Sequence, residues 1–87
     1  MAYTLEIPKS AKKELEALPR QIGGRVVAVV RGLAVDPRPE GCVKLAGFKD
    51  TYRIRVGDYR VVYEIHDLVL RVLLLKIGHR REVYRDR

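Results

Sequence analysis

Apolar and polar positions along this chain switch between two periods, and each switch marks the edge of an element. Tyr3, Leu5 and Ile7 alternate with Thr4 and Glu6, the period of a short strand, which Pro8 ends. From Lys9 to Leu18 the spacing turns helical, with Ala11, Leu15 and Leu18 on one face and Lys12, Lys13 and Glu16 outside it. Pro19 stops that helix, and a second is predicted from about Arg20 to Val35 on the stripe Ile22, Val26, Val29, Val30 and Leu33. Asp36 to Asp50, with Pro37, Pro39, Gly41 and Gly47, reads as a loop enclosing the cluster Lys44-Leu45-Ala46-Gly47. Strict alternation returns from Tyr52 to Tyr63. The run Leu68 to Ile77 is apolar on both faces, as a covered central strand is, and Gly78 is expected to end it before a polar tail, His79 to Arg87. The order βααβββ predicts one α+β domain over residues 1–87. Its N-terminal helical hairpin packs on one face of a mainly antiparallel four-stranded sheet.

The segment Tyr52 to Tyr63 carries the chemistry. Gly57-Asp58 at its centre reads as a two-residue hairpin turn, with glycine supplying positive φ. That turn sets Val56 against Tyr59 and Arg55 against Arg60. Tyr52, Ile54, Val56, Tyr59, Val61 and Tyr63 then share the apolar face, while Arg53, Arg55 and Arg60 share the other, expected to be open to solvent. One arginine on an exposed strand is ordinary. Like charges placed directly opposite one another across a strand pair destabilise it, so three together point to an anionic guest. The end of the last strand is expected to bring His79, Arg80 and Arg81 beside them, with Tyr84 at the edge. Arginine forks match phosphate oxygens, and an aromatic ring can stack on an unpaired base.

Composition narrows the partner. The formal net charge is +7, spread over both halves of the chain, so the surface that meets a polyanion should belong to the fold and not to a detachable tail. Cys42 is the sole cysteine, which excludes an internal disulfide. His66 and His79 lack a third ligand at metal spacing, so neither a metal nor another cofactor is expected. No apolar run approaches the roughly 18 residues of a membrane span, and Glu6 and Pro8 interrupt any secretion-signal pattern; a cytoplasmic protein without a membrane partner is expected.

Leu18-Pro19, Lys44-Leu45-Ala46-Gly47, the hairpin Tyr52–Tyr63, Ile77-Gly78-His79-Arg80 and Glu82-Val83-Tyr84 occur in an order that resembles the RelE/ParE superfamily of bacterial and archaeal type II toxins, most closely its RelE branch. The resemblance implies a small toxin inhibited by a cognate antitoxin whose acidic or amphipathic segment wraps it, with DNA met only through that antitoxin. It further implies entry into the ribosomal A site and cleavage of mRNA without a metal, by attack of a 2′-hydroxyl on the adjacent phosphate. Carried over by position, the catalytic candidates are Arg53, Arg55, Arg60, Arg80 and Tyr84, and the RNA- or phosphate-binding candidates are Lys44, His79 and Arg81. Arg60 and Arg80 would neutralise charge growing on the scissile phosphate. Some relatives place lysines where this chain has Arg53 and Arg55. A guanidinium, with a pKa above about 12, cannot act as a base at neutral pH, so proton transfer falls either to Tyr84 or to the ribosome and RNA. Two other outcomes share the fold: a ParE-like inhibitor of DNA gyrase, or a weakly toxic module that only holds its antitoxin.

Overall fold

The computed structural model of this chain describes residues 2–79. Its elements are β1 (Thr4–Glu6), α1 (Lys9–Glu16), α2 (Arg20–Gly32), β2 (Val43–Lys44), β3 (Thr51–Val56), β4 (Tyr59–His66) and β5 (Arg71–His79), with a 3-10 turn over Asp67–Val69. The α+β class is as the pattern predicts. The sheet, however, has five strands, ordered β1-β5-β4-β3-β2, with β1 parallel to β5 and every other pair antiparallel. The additional strand is β2. Val43 and Lys44 pair with Arg53 and Tyr52 inside what reads as a loop, and two residues are too few to show alternation.

The prolines bracket α1. Pro8 closes β1, and its carbonyl accepts the first bond of α1, from the Lys12 N–H at 2.8 Å. The Pro19 carbonyl accepts from the N–H groups of Ile22 and Gly23, so this residue starts α2 as well as stopping α1. Helix α2 ends at Gly32, three residues before the predicted boundary, with the Asp36 N–H bonded back to the Gly32 carbonyl.

Both helices lie on one face of the sheet. Ala11 of α1 and Val26 and Val30 of α2 pack with Ile54, Val61, Tyr63, Ile65, Val72, Leu74 and Ile77. Complete burial of each large side chain in such a core contributes about 1.5–3 kcal/mol. Tyr63 is fully buried, and its hydroxyl donates to the Pro37 carbonyl at 2.8 Å, which anchors the loop after α2. Burial pushes the Tyr63 phenol well above its ordinary range.

Strand β5 departs from simple alternation. Tyr63 pairs with Leu74 but Val62 pairs with Lys76, so Leu75 is an extra residue in a β-bulge. Below the bulge Val72 and Leu74 face the helices. Above it Ile77 takes the core face and Lys76 moves to the other. The strand also runs through Gly78 to His79, past the predicted stop. The Ile77 N–H, which points away from β4, donates to the Glu14 carboxylate of α1 at 2.8 Å. Because β1 covers only Arg71 to Leu73, this carboxylate satisfies an edge donor that no strand reaches.

At the opposite end of the sheet, Asp67 gathers the loop, β1 and β3 together. Arg38 donates to both of its carboxylate oxygens, at 3.2 and 2.8 Å, and Tyr3 donates to Oδ1 at 2.7 Å. The same guanidinium reaches the Tyr52 hydroxyl and lies 5.2 Å from that ring's centre, and Tyr52 stacks on Tyr63. The hydrogen bonds from Arg38 and then Tyr3 hold the Asp67 carboxyl down at about 2.

Two outcomes follow from these contacts. Glu14→Ala leaves the Ile77 donor unmet, and should lower unfolding free energy by about 1–3 kcal/mol in urea denaturation, whereas Glu16→Ala, exposed on the same helix, should change little. For Asp67 the folded pKa lies below the unfolded value of about 3.9, so the ionised group stabilises the fold above that pH and loses its effect as pH falls toward about 2. The gap in urea midpoint between the unmodified chain and Asp67→Asn should therefore stay constant from neutrality to about pH 4 and close below it.

Candidate functional site

The hairpin is built as its sequence implies. Gly57 has φ +60°, Asp58 keeps a negative φ, and Val56 pairs with Tyr59, the pattern of a type II′ turn. A side chain at Gly57 would be strained by that φ, and its Cβ would sit 3.2 Å from Ile22. The register then places Arg55 directly opposite Arg60, one pair beyond the turn, where cross-strand Cα atoms approach to about 4.5 Å.

Arg53, Arg55 and Arg60 do share the face turned away from the helices, but they differ in exposure. Arg55 is exposed, Arg53 is half-buried, and Arg60 retains only 5 % of its surface. Arg60 is thus not the solvated side chain the alternation suggests. It sits on the central strand, opposite Arg55 on one side and the buried, side-chain-free Gly78 on the other. Neither Arg53 nor Arg60 lacks an interaction partner.

Two rows of residues cross the three central strands on this face. One is Arg55–Arg60–Gly78 and the other Arg53–Val62–Lys76. Strand spacing makes each row about 10 Å wide, and the rows lie about 7 Å apart. Lys76 is the member that sequence reasoning misses. The sequence hides it, because Leu73, Leu74 and Leu75 are all apolar and suit either face.

The same bulge displaces His79. It pairs with Tyr59 on the side of the helices, and the two rings meet edge to face with centroids 5.6 Å apart. Lys44 also belongs elsewhere. It pairs with Tyr52, on the helix side, and Val43 is the β2 residue that shares a side with Arg53. These two candidates are therefore not members of the arginine face. Arg80, Arg81 and Tyr84 lie outside the described residues.

Farther along the open face the charge reverses. Glu64 follows the Arg53 row on β4, and the His66 ring lies 2.9 Å from the Glu64 carboxylate and 3.9 Å from that of Asp50. Among the described residues no group of three or more His, Cys, Asp or Glu side chains forms a metal cage, and no helix is long and apolar enough to cross a membrane. Chemically, the cationic rows can bind and neutralise phosphate, and guanidinium groups held in place need no reorganisation to do so.

Two helices on one side of a small mixed sheet, with clustered arginines on the other, define a compact α+β module with a cationic face. Residues 5–84 match the family model described as the ParE toxin of the type II toxin–antitoxin system parDE, and the chain belongs to this family of toxins. The chain is similar to toxin RelG of Mycobacterium tuberculosis, at 33% identity over 86 residues, covering 98% of this chain and 99% of that protein. It is also similar to the mRNA interferase toxin RelE of Escherichia coli, at 31% identity over 90 residues, covering 99% and 94%. A chain of the crystal structure of the archaeal RelE–RelB complex from Pyrococcus horikoshii superposes with a TM-score of 0.80 at 33% identity, across 92% of this chain and 97% of that one. The RelE/ParE resemblance read from the motifs is met, and the relatives carry RelE-branch names.

The difference in burial separates two variants. Arg55→Ala removes one of two opposed like charges at an exposed position, and should leave stability unchanged or raise it by a few tenths of a kcal/mol, about 0.2–0.5. Arg60→Ala removes a buried charged group with its packing, and should cost about 1–3 kcal/mol in the same urea assay.

Proposed function

We propose that this toxin is a ribosome-dependent mRNA endoribonuclease that halts translation until a cognate antitoxin binds it. The observation that carries this reading is the direct pairing of Arg55 with a buried Arg60, with Arg53 in the adjacent row. The name of the Escherichia coli relative, mRNA interferase toxin, and the RelE–RelB complex among the similar structures support the activity and the partner respectively. An acidic or amphipathic antitoxin segment fits a chain of net charge +7, and DNA is then met only through that antitoxin. Ribosome-bound mRNA places the proposed action in the cytoplasm.

In the proposed reaction a 2′-oxygen attacks the adjacent phosphorus, the bond to the 5′-oxygen breaks, and a 2′,3′-cyclic phosphate is left facing a 5′-hydroxyl; addition of a water then opens the ring to the 3′-phosphate. Arg55, exposed, receives the incoming phosphodiester. Arg60, buried, acts in surroundings of lower dielectric, where a fixed charge stabilises the pentacovalent phosphate more strongly than it would in water. Arg53 holds a flanking phosphate, and Arg80 and Arg81 join through the motif they share with the family. The 2′-hydroxyl must lose a proton and the 5′-oxygen must gain one. The guanidinium groups do neither, so Tyr84 or groups of the ribosome and RNA carry the protons.

The description of the matching family favours a second reading, inhibition of DNA gyrase in the manner of ParE. Primer extension on ribosome-bound mRNA separates the two. New 5′ ends should appear with the toxin, and Arg55→Ala should slow their formation by about 100-fold with the fold intact by circular dichroism. Intact mRNA together with inhibited gyrase supercoiling would select the second reading.

A further inference from the structure

We infer that Lys76 is an additional RNA-binding residue of this toxin, holding a backbone phosphate beside the reacting one. The inference rests on the endoribonuclease reading and extends its site by one residue.

Three observations carry it. Lys76 lies in the row Arg53–Val62–Lys76, so Val62 is flanked by a cation on each side and the arginine cluster continues onto β5. It reaches this face only because Leu75 is inserted into the strand. Without the insertion Lys76 would follow Val72 and Leu74 onto the helix face, where a lysine would have to be buried in an apolar core. The bulge thus puts Lys76, which like Arg53 and Arg60 has an interaction partner of its own, on the arginine face, although Val62, a neighbouring position there, shows that apolar residues are accommodated. The third observation is the Glu14 carboxylate on the Ile77 N–H at 2.8 Å, which fixes the strand immediately after Lys76.

The chemistry of the side chain distinguishes its task from that of the arginines. An ammonium on a four-carbon stem is a compact point charge without the planar fork of guanidinium, suited to following one phosphate oxygen and not to clamping two. Lys76 and Arg53 stand about 10 Å apart across the row. Lys76 is offset from Arg60 by one strand and one row, so it is placed to hold the phosphate next to the one Arg55 and Arg60 receive. Its contribution is to binding and register, independent of base identity.

The test uses fluorescence anisotropy with a labelled single-stranded oligoribonucleotide, 2′-O-methylated so that it cannot be cut, over a series of KCl concentrations. Loss of one phosphate contact should make the slope of log affinity against log salt shallower by about 0.7 in Lys76→Gln, while Lys76→Arg restores it. Lys76→Met, which keeps the apolar stem, should behave as the Gln variant does, and serves if Gln disturbs the bulge. On ribosomes the charge-removing variants should raise KM several-fold, about 3–10, with kcat unchanged.

A wild-type salt slope in both charge-removing variants, with Arg55→Ala shallower, would overturn the role of Lys76 and leave the RNA reading standing. A fall in kcat at constant KM would also overturn it, by placing Lys76 in the chemical step. Absence of salt-dependent RNA affinity in the unmodified toxin, alongside uncut mRNA, would remove both readings together.

Discussion

The inserted Leu75 in β5 is the constraint on which the rest of the sheet depends. Side chains along a strand have only two destinations, so one extra residue exchanges the faces of everything beyond it. Before the insertion Val72 and Leu74 fill the core; after it Ile77 does, and Lys76 and Gly78 stand on the arginine side. Gly78 then lies across from Arg60, and the absence of a side chain there suits the burial of so large a group. Glu14 sits at the outer edge of the same stretch and bonds to Ile77. A helix on the covered face thereby helps to set the composition of the open one.

Arg60 joins stability to the proposed chemistry. A charged group stripped of water costs free energy unless its surroundings replace the lost solvation, and Arg55 immediately opposite adds repulsion. Under the proposed function, a phosphate bound between them would lower both penalties. A ligand that binds only the folded state also stabilises it, by an amount that grows with its concentration relative to its affinity. An acidic antitoxin segment and an RNA backbone would relieve the same strain, which gives a physical basis for competition between inhibitor and substrate.

Much of this was legible in the chain. The hairpin register, the opposition of Arg55 and Arg60, the two helices and the α+β class follow from alternation, helical spacing and two prolines, all local signals. The misreadings share one cause: they depend on partners distant in sequence. Two residues of β2 become a strand only beside β3, and the exposure of Arg60 depends on what packs around a central strand. His79 was placed by its position at the strand end, whereas pairing with Tyr59 puts it on the helix side, as pairing with Tyr52 does Lys44. The apolar run Leu68 to Ile77 concealed a parity change because leucines at 73, 74 and 75 suit either face. The Arg38–Asp67–Tyr3 contacts join residues up to 64 positions apart, and no spacing rule reaches that far.

The placement of these contacts has a consequence for the site. Arg38 with Asp67, Arg71 with Glu6, and His66 with Glu64 gather where β4 passes to β5. The cationic rows lie toward the hairpin turn, at the other end of the same strands. On the open face this leaves opposite charges paired at one end and like charges clustered at the other, so the positive patch is confined to the hairpin end of the sheet. Under the proposed function, an approaching RNA would be drawn to that cationic end. Charge pairs that tie loop and strands together are kept apart from charges that would meet a phosphate. Substitutions at the exposed part of the latter, Arg55 above all, can therefore change binding while the clamp at Asp67 holds the fold.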